Sequence, residues 1–383
     1  MSASKDLIGR ETNRMSEPSL KVLLVAGRFE VRGSSGNTLR LAEGLRLRDI
    51  DVAIVTPNAD CVAPCRRDRL AVSVYPRLNL PIWGRVVRES IVRDLADDPP
   101  DLIHIQSWST YRLGAWLARR LARPYVLSIH GYLTPHARIR FSQQWGRRII
   151  AVSQSVKSEL LSRTSLPPEM VSVIHAGVDV SVSAGMPAIL APGRIPVVGT
   201  AGPLEAVKGH VFFLGAAQRV AQIHAETEFL VAGAGPEEEN LRRLARELGI
   251  NRNVTFASNL YDFSASLAAM DIFCLPSLRQ GLGTIMLEAM ARGRPVIASG
   301  VGGIYSVVRN NETGLVVPPS DSAALAERIL ELLHDPVRAR SIGEAGRRLV
   351  GEEFGVERMV AQTAELYRDV LACEPTASPT VVV

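Results

Sequence analysis

Two doubly wound, Rossmann-like α/β domains facing a central cleft are the fold this sequence predicts. Three observations point there. Short apolar runs alternate with amphipathic segments along most of the chain, the mark of a parallel sheet covered on both faces. The alternation stops once, in a stretch rich in Ala, Gly, Pro and Ser from Ser181 to Arg194, and then restarts. The chain has 383 residues, enough for two domains of ordinary size.

The elements follow in order. Residues 1–18 are polar and aperiodic and read as a flexible tail. A first domain is expected over 19–185, with strands at Leu20–Ala26, Asp51–Thr56, Leu102–Gln106, Tyr125–His130, Arg148–Val152 and Val171–Ile174. Helices such as Thr38–Arg48 and Leu113–Leu121 separate them. A second domain is expected over 186–353, with strands at Ile195–Ala201, Thr227–Ala232, Asn253–Ala257, Asp271–Leu275, Pro295–Ser299 and Gly314–Val317. Its helices are His210–His224, Pro236–Leu248 and Ser322–Leu333. Glu353–Leu371 reads as a final helix and 372–383 as a second flexible tail, whose terminal Val run could pack somewhere. Two doubly wound domains place a ligand cleft at the carboxyl ends of both sheets.

Composition narrows the class. Hydrophobic residues make up 46% and charged residues 22%, as in soluble globular proteins. No apolar run is long enough to span a bilayer, and the N-terminus lacks the apolar core of a signal peptide, so a cytoplasmic protein is expected. Cys61 and Cys65 have a metal-like spacing but no His or second Cys pair nearby, and Cys274 sits in an apolar strand. No metal site is expected. Charge is unevenly shared: residues 1–185 carry 26 Lys and Arg against 17 Asp and Glu, the remainder 18 against 22. Nucleic acid, an anionic membrane surface and a pyrophosphate-linked lipid all fit a basic N-terminal half, as does an Arg-rich face that is merely solvated.

One stretch carries more chemistry than the rest, Ser277 to Ser299. Gly281, Leu282, Gly283 and Thr284 form a glycine-flanked loop opening into a short helix. Free N–H groups there favour an anion. One turn on sits Glu288, among apolar Ile285, Met286, Leu287, Ala289 and Met290. A carboxylate in such a helix needs donors; the two hydroxyls of a ribose would supply them, and so would an ion pair with Arg292 four residues on. Phosphate at the helix tip and ribose on its body describe a nucleotide site. Gly33 and Gly36, between the first strand and its helix, would let backbone approach a ligand. Their spacing is not that of a dinucleotide fingerprint, which argues against a nicotinamide-dependent enzyme.

Pro276-Ser277, Gly281, Gly283 and Leu287-Glu288-Ala289-Met290-Ala291 resemble the signature of family-4 retaining glycosyltransferases. So do Ser128-Ile129-His130-Gly131, His175-Ala176-Gly177-Val178-Asp179, Val207-Lys208-Gly209, Ala232-Gly233-Ala234-Gly235-Pro236, Gly302-Gly303-Ile304 and Glu312-Thr313-Gly314-Leu315. The resemblance implies a GT-B fold, a nucleotide-diphosphate sugar as donor, a saccharide or lipid-linked acceptor, no cofactor and no metal. It implies that the last helix crosses back onto the N-terminal domain, and that His130, Lys208 and Gln280 line the reacting centre. Gly33, Gly36, Gly281, Leu282, Gly283, Thr284 and Glu288 would join Lys208 in holding the donor. It also turns the basic half toward a lipid-linked acceptor or the inner face of a membrane, and away from nucleic acid. Three positions depart from the pattern. Gln280 stands for the first motif Glu, Pro203 for a pyrophosphate-binding Arg, and Ser306 for a Glu after Gly302-Gly303. Two readings stay open: an active transferase with altered donor contacts, and a catalytically silent homologue that binds a nucleotide sugar or a protein.

Overall fold

The computed structural model describes residues 20–78, 83–134, 140–142, 144–180, 188–258, 262–372 and 381–382. The first sheet contains β1 (Lys21–Val25), β2 (Asp51–Thr56), β3 (Ala71–Val74), β4 (Leu102–Ile105) and β5 (Tyr125–Ile129). After β6 (Arg140–Phe141), which lies outside this sheet, come β7 (Gly146–Ala151) and β8 (Val171–Val173). The order across the sheet is β3-β2-β1-β4-β5-β7-β8, all parallel. Strands such as Leu102–Ile105 are buried throughout because helices cover both faces. Those helices are α1 (Gly33–Arg46), α2 (Pro64–Arg69), α3 (Trp83–Asp94), α4 (Tyr111–Leu121) and α5 (Gln154–Arg163). Ser153 caps α5, its hydroxyl accepting from Val156 N at 3.3 Å.

The second sheet repeats the plan with six strands: β9 (Val197–Ala201), β10 (Glu228–Ala232), β11 (Val254–Ala257), β12 (Ile272–Leu275), β13 (Val296–Ser299) and β14 (Leu315–Val317). Their order is β11-β10-β9-β12-β13-β14. In each sheet the strand order reverses beside the first strand, between β1 and β4 and between β9 and β12. Ligands of such folds bind at that point, outside the carboxyl ends of the strands. The second domain's helices are α6 (His210–Ile223), α7 (Glu238–Glu247), α8 (Ser264–Ala269), α9 (Thr284–Ala291), α10 (Ser322–His334) and α11 (Pro336–Glu353).

The C-terminal region departs from expectation. No helix was foreseen over Pro336–Glu353, although Asp335 caps it and Pro336 opens it, a standard start signal. The final helix, α12 (Val356–Ala372), starts three residues later than foreseen because Phe354-Gly355 breaks off to bridge Val178. It packs on α1, where Val360 fills the space a Cβ on Gly44 would need. Tyr367, fully buried, meets Nδ1 of His104 on β4, and Nε2 of that ring meets Ser128 Oγ on β5 at 2.8 Å. The terminal Val run is not structureless: Val381–Val382 forms β15, antiparallel to β6. The expected tail over 1–18 lies outside the described residues.

One apolar cluster runs across both domains. It takes Ile105, Leu127 and Ile129 from the first sheet and Leu275, Leu282 and Met286 from the second. The domains are therefore closed on each other, with the cleft between the carboxyl ends of β1, β4 and β5 on one side and of β9 and β12 on the other. Among the described residues no helix is long and apolar enough to cross a membrane.

Candidate active site

The tip of α9 is built by close backbone packing. Gly283, at φ +93°, turns the chain into the helix from a conformation open to glycine. Gly281 lies so near His130 O that a Cβ would sit 2.7 Å from it, and Ser153 Oγ donates to Gly281 O at 2.6 Å. Gly303 N donates to Gln280 O at 3.1 Å, tying the loop to the next turn. Among the described residues the amides of Gly281, Leu282, Gly283 and Thr284 have no hydrogen-bond acceptor. No side chain caps the helix. An N-terminus left bare beside a cleft is suited to an anion.

Lys208, Gln280 and Arg32 surround the cleft of about 240 Å³ in front of that tip. Lys208 Nζ donates to Gln280 Oε1 at 3.0 Å, and Ser277 Oγ reaches the same oxygen at 3.3 Å. The ammonium can only donate, so it fixes which way the amide faces. The amide oxygen of Gln280 is thus engaged by Lys208 and Ser277, which leaves the nitrogen as the end able to donate elsewhere. A carboxylate at 280 would form an ion pair with Lys208; with the amide, Glu205 is the carboxylate that acts on that charge. Burial pushes the Lys208 ammonium down, against the pull of Glu205 and with help from Arg32, so an arriving anion would restore its preference for the charged form. Pro203 supplies no charge, but Arg32 enters from the opposite domain and lines the same cleft. Its guanidinium pairs with Glu205 at 2.6 Å and with Glu30.

Glu288 is buried, at 8% exposure. It is not unpartnered, and the alternative intrahelical pair with Arg292 does not form. Arg292 donates instead to the Glu288 main-chain oxygen, at 2.9 Å, and to Ser264 Oγ. The carboxylate is paired across the cleft: Arg40 Nη2 donates to Glu288 Oε1 at 2.8 Å, and Arg40 Nε donates to Asp179 at 3.0 Å. Burial would lower the Arg40 pKa, but Glu288 and Asp179 more than offset it and the net shift is upward. One Glu288 oxygen is thus held by Arg40. These groups border a second cavity of about 160 Å³ adjoining the first through Arg32, Gly33 and Ile285.

Gly33 and Gly36 both line the smaller cavity, and Gly33 lines the larger one as well. A Cβ on Gly33 would come within 2.6 Å of Thr284, so the glycine lets the N-terminus of α1 meet that of α9. Gly36 makes room for the guanidinium of Arg40, 3.3 Å from where its Cβ would be. His130 lies at the end of β5 against the same cleft. Its ring bonds the main chain of Gln106, and Nε2 has no partner. Burial, opposed only in part by the Gln106 bond, takes its pKa down to about 4, so the ring is neutral at neutral pH. A neutral ring can offer the unpartnered Nε2 to a hydroxyl as acceptor or donor, according to its tautomer. Among the described residues no cluster of metal-ligating side chains occurs. The sequence's single Asp-x-Asp triplet, Asp49-Ile50-Asp51, lies at the amino end of β2, away from the cleft.

Arg32 and Arg40 were missed as cleft residues. In the sequence each is only one of many arginines in a basic half. Their partners, Glu205 and Glu288, lie more than 170 residues away.

Two facing parallel-sheet domains with an anion-ready helix tip between them define a GT-B architecture. Two family models match successive parts of the chain: Glycosyltransferase Family 4 over residues 31–182 and Glycosyl transferases group 1 over residues 186–349. The chain belongs to the family-4 GT-B glycosyltransferases. It is similar to the phosphatidyl-myo-inositol mannosyltransferase of Mycobacterium leprae, with 27% identity over 89% of this chain and 94% of that one. It is also similar to the 2-deoxystreptamine glucosyltransferase of Streptomyces kanamyceticus, at 26% identity over 88% and 98%. Among solved structures, Anabaena Alr3699/HepE in complex with UDP and glucose superimposes with a TM-score of 0.77. It is 21% identical and covers 91% of this chain and all of its own.

Proposed function

We propose that the protein transfers a sugar from a nucleotide diphosphate to an acceptor hydroxyl, with retention at the anomeric carbon. The observation that carries this is convergence. Lys208, Arg32 and the bare amides at the tip of α9 face one cavity, and Glu288 lies one turn further along the same helix. The diphosphate would lie against the cations and amides, and the ribose against Glu288. His130 Nε2 and the Gln280 amide nitrogen would position the transferred sugar.

In the reaction the bond from the anomeric carbon to the diphosphate oxygen breaks, and a bond to the acceptor oxygen forms on the same face. The acceptor proton passes to a phosphate oxygen of the departing group. Lys208, Arg32 and the helix amides stabilise the charge that develops there. His130 is too weak a base, near 4, to take the proton at neutral pH. These cations are placed to do what a divalent ion does elsewhere, so turnover in excess EDTA should equal turnover without it. Loss of activity in EDTA and its return with magnesium would overturn this account of the leaving group.

Relatives that act on a phosphatidylinositol and on an aminocyclitol support glycolipid or saccharide assembly as the setting. The basic N-terminal half is consistent with work at the inner face of a membrane. Thermal-shift screening against nucleotide-diphosphate sugars, followed by turnover and the anomeric configuration of the product by NMR, tests the reading. Binding without turnover on every donor would favour the silent homologue. Inversion at the anomeric carbon would remove the same-face mechanism.

A further inference from the structure

The bare amides at the tip of α9 take their direction from whatever holds the carbonyls in front of them. A trans peptide points its C=O and its N–H to opposite sides, and no peptide bond among the described residues is cis. Gln280 O accepts from Gly303 N at 3.1 Å, which sends the Gly281 N–H the other way. Gly281 O is held in turn. It accepts from Ser153 Oγ at 2.6 Å, and a Cβ on Gly303 would overlap it, so it is enclosed between the cap of α5 and the turn at Gly302–Ser306. Among the described residues it meets no other donor. The Leu282 N–H, in the same peptide, is thereby turned away from α5, and Leu282 lines the cleft with Gly283 and Thr284.

The two clamps differ in kind. Gly303 belongs to the same domain as the loop, so its bond persists if the domains part. Ser153 belongs to the other domain, between β7 and α5. It is fully buried and does not line the cleft, although its neighbour Val152 does. Its hydroxyl is fully used. Oγ accepts from Val156 N at 3.3 Å and lies 3.0 Å from Ser155 Oγ. A hydroxyl has one proton and two acceptor sites. With the proton on Gly281 O, Ser155 is the donor of its pair, and nothing is left over for a ligand.

We infer that Ser153 is a positioning residue for the donor diphosphate: across the domain boundary, its hydroxyl aims the Leu282 amide into the cleft. The inference rests on the transferase reading above. An N–H is a directional donor, and its bond weakens steeply once the angle at hydrogen falls toward about 120°. Without Ser153 the Gly281–Leu282 peptide is free to turn, at small steric cost because Gly281 has no Cβ. The anion site at the tip of α9 is therefore complete only with the domains closed, and a residue that never meets the donor decides how well its charge is held.

The test compares wild type, Ser153→Ala and Ser153→Thr as full chains. UDP and GDP are titrated by calorimetry, and uridine and guanosine by saturation-transfer NMR. A nucleoside can reach Glu288 but carries no phosphate for the tip of α9. Ser153→Ala should lose about fivefold or more in diphosphate affinity and less than about twofold in nucleoside affinity. Ser153→Thr keeps both the proton and the cap and should restore the ratio. A loss shared equally by diphosphate and nucleoside makes Ser153 merely structural and overturns the inference, as does an unchanged diphosphate affinity. So does a folded Ser153→Thr that behaves like Ser153→Ala. In each of these cases diphosphate binding by wild type leaves the transferase reading standing; a wild type that binds no diphosphate removes both. Should Ser153→Ala fail to fold, Ser153→Cys decides on the same ratio, since a thiol fills the site but donates only weakly.

Discussion

Glu288 and Gln280 show how much a single partner changes the chemistry of a side chain. Glu288 keeps one oxygen on Arg40 and one available. Glu288→Ala should abolish nucleotide binding with the fold intact, a loss of about 3 kcal/mol or more from hydrogen bonds to a charged group. Arg40 would remain paired with Asp179, while buried Arg292 would keep its bonds to the main chain of residue 288 and to Ser264. Unchanged nucleotide affinity by calorimetry in a folded variant rules out the ribose role. Gln280 acts through Lys208. Gln280→Ala removes both the brace on the ammonium and the amide nitrogen facing the sugar, and should lower turnover at least tenfold, about 1.4 kcal/mol in the barrier. Gln280→Glu should pair with Lys208, weaken the hold on the diphosphate and raise the donor KM. If wild type is inactive on every donor and Gln280→Glu becomes active, the amide is a disabling substitution and the silent-homologue reading holds.

At the scale of elements, three histidines titrate with the fold. His104 on β4, His130 at the end of β5 and His210 at the start of α6 are lowered by burial to about 3, 4 and 4 from an ordinary 6.5. Between pH 6.5 and 4 the unfolded chain binds these protons and the native protein does not. Their contribution to stability is therefore complete above about 6.5 and is lost as pH falls toward 4. The slope is about 1.4 kcal/mol per pH unit for each ring. Urea midpoints should fall between pH 7 and 5, and less so in His210→Asn; a flat profile would mean that the rings protonate without cost. Elements were legible in the sequence where the period was strong. Asp51–Thr56 matches to the residue, and the second-sheet strands to within two, because buried parallel strands are unbroken apolar runs. The edge strand Ala71–Val74 and helices α2, α3 and α11 were not read out. β3 and α2 are short and lie largely at the surface, and α2 is rich in Arg, so no period marks them; α3 and α11 do carry a helical apolar period, which went unread. The helix-tip loop and Glu288 were legible because glycine and a lone carboxylate are rare in apolar surroundings. The ion pairs that set their chemistry were not, because each joins residues distant in sequence.

The whole molecule is a closed pair of domains, and its clasps are of two kinds. One is apolar, the cluster shared by Leu127, Ile129, Leu282 and Met286. The other is ionic and lies largely at the rim. Arg32 pairs with Glu205, Arg279 lies 3.5 Å from Glu159 and over the Tyr132 ring at 4.6 Å, and Arg40 bridges to Glu288 further in. Salt screens exposed charges over about 10 Å at 0.1 M and far less the buried pair. Domains joined by such an interface move relative to each other unless the apolar contact is large. A nucleotide diphosphate brings the missing anion to Lys208, Arg32 and the α9 tip, so it should close the cleft more firmly than the internal carboxylates do. Small-angle scattering of the ligand-free protein should therefore show a larger radius of gyration at high salt than at low salt, and nucleotide should reverse the change. Arg279→Ala, which removes a rim clasp without touching the anion site, should expand the free protein and leave the nucleotide-bound dimension unaltered. If neither salt nor Arg279→Ala changes the free dimension, the apolar cluster alone holds the domains and the ionic rim has no part in closure.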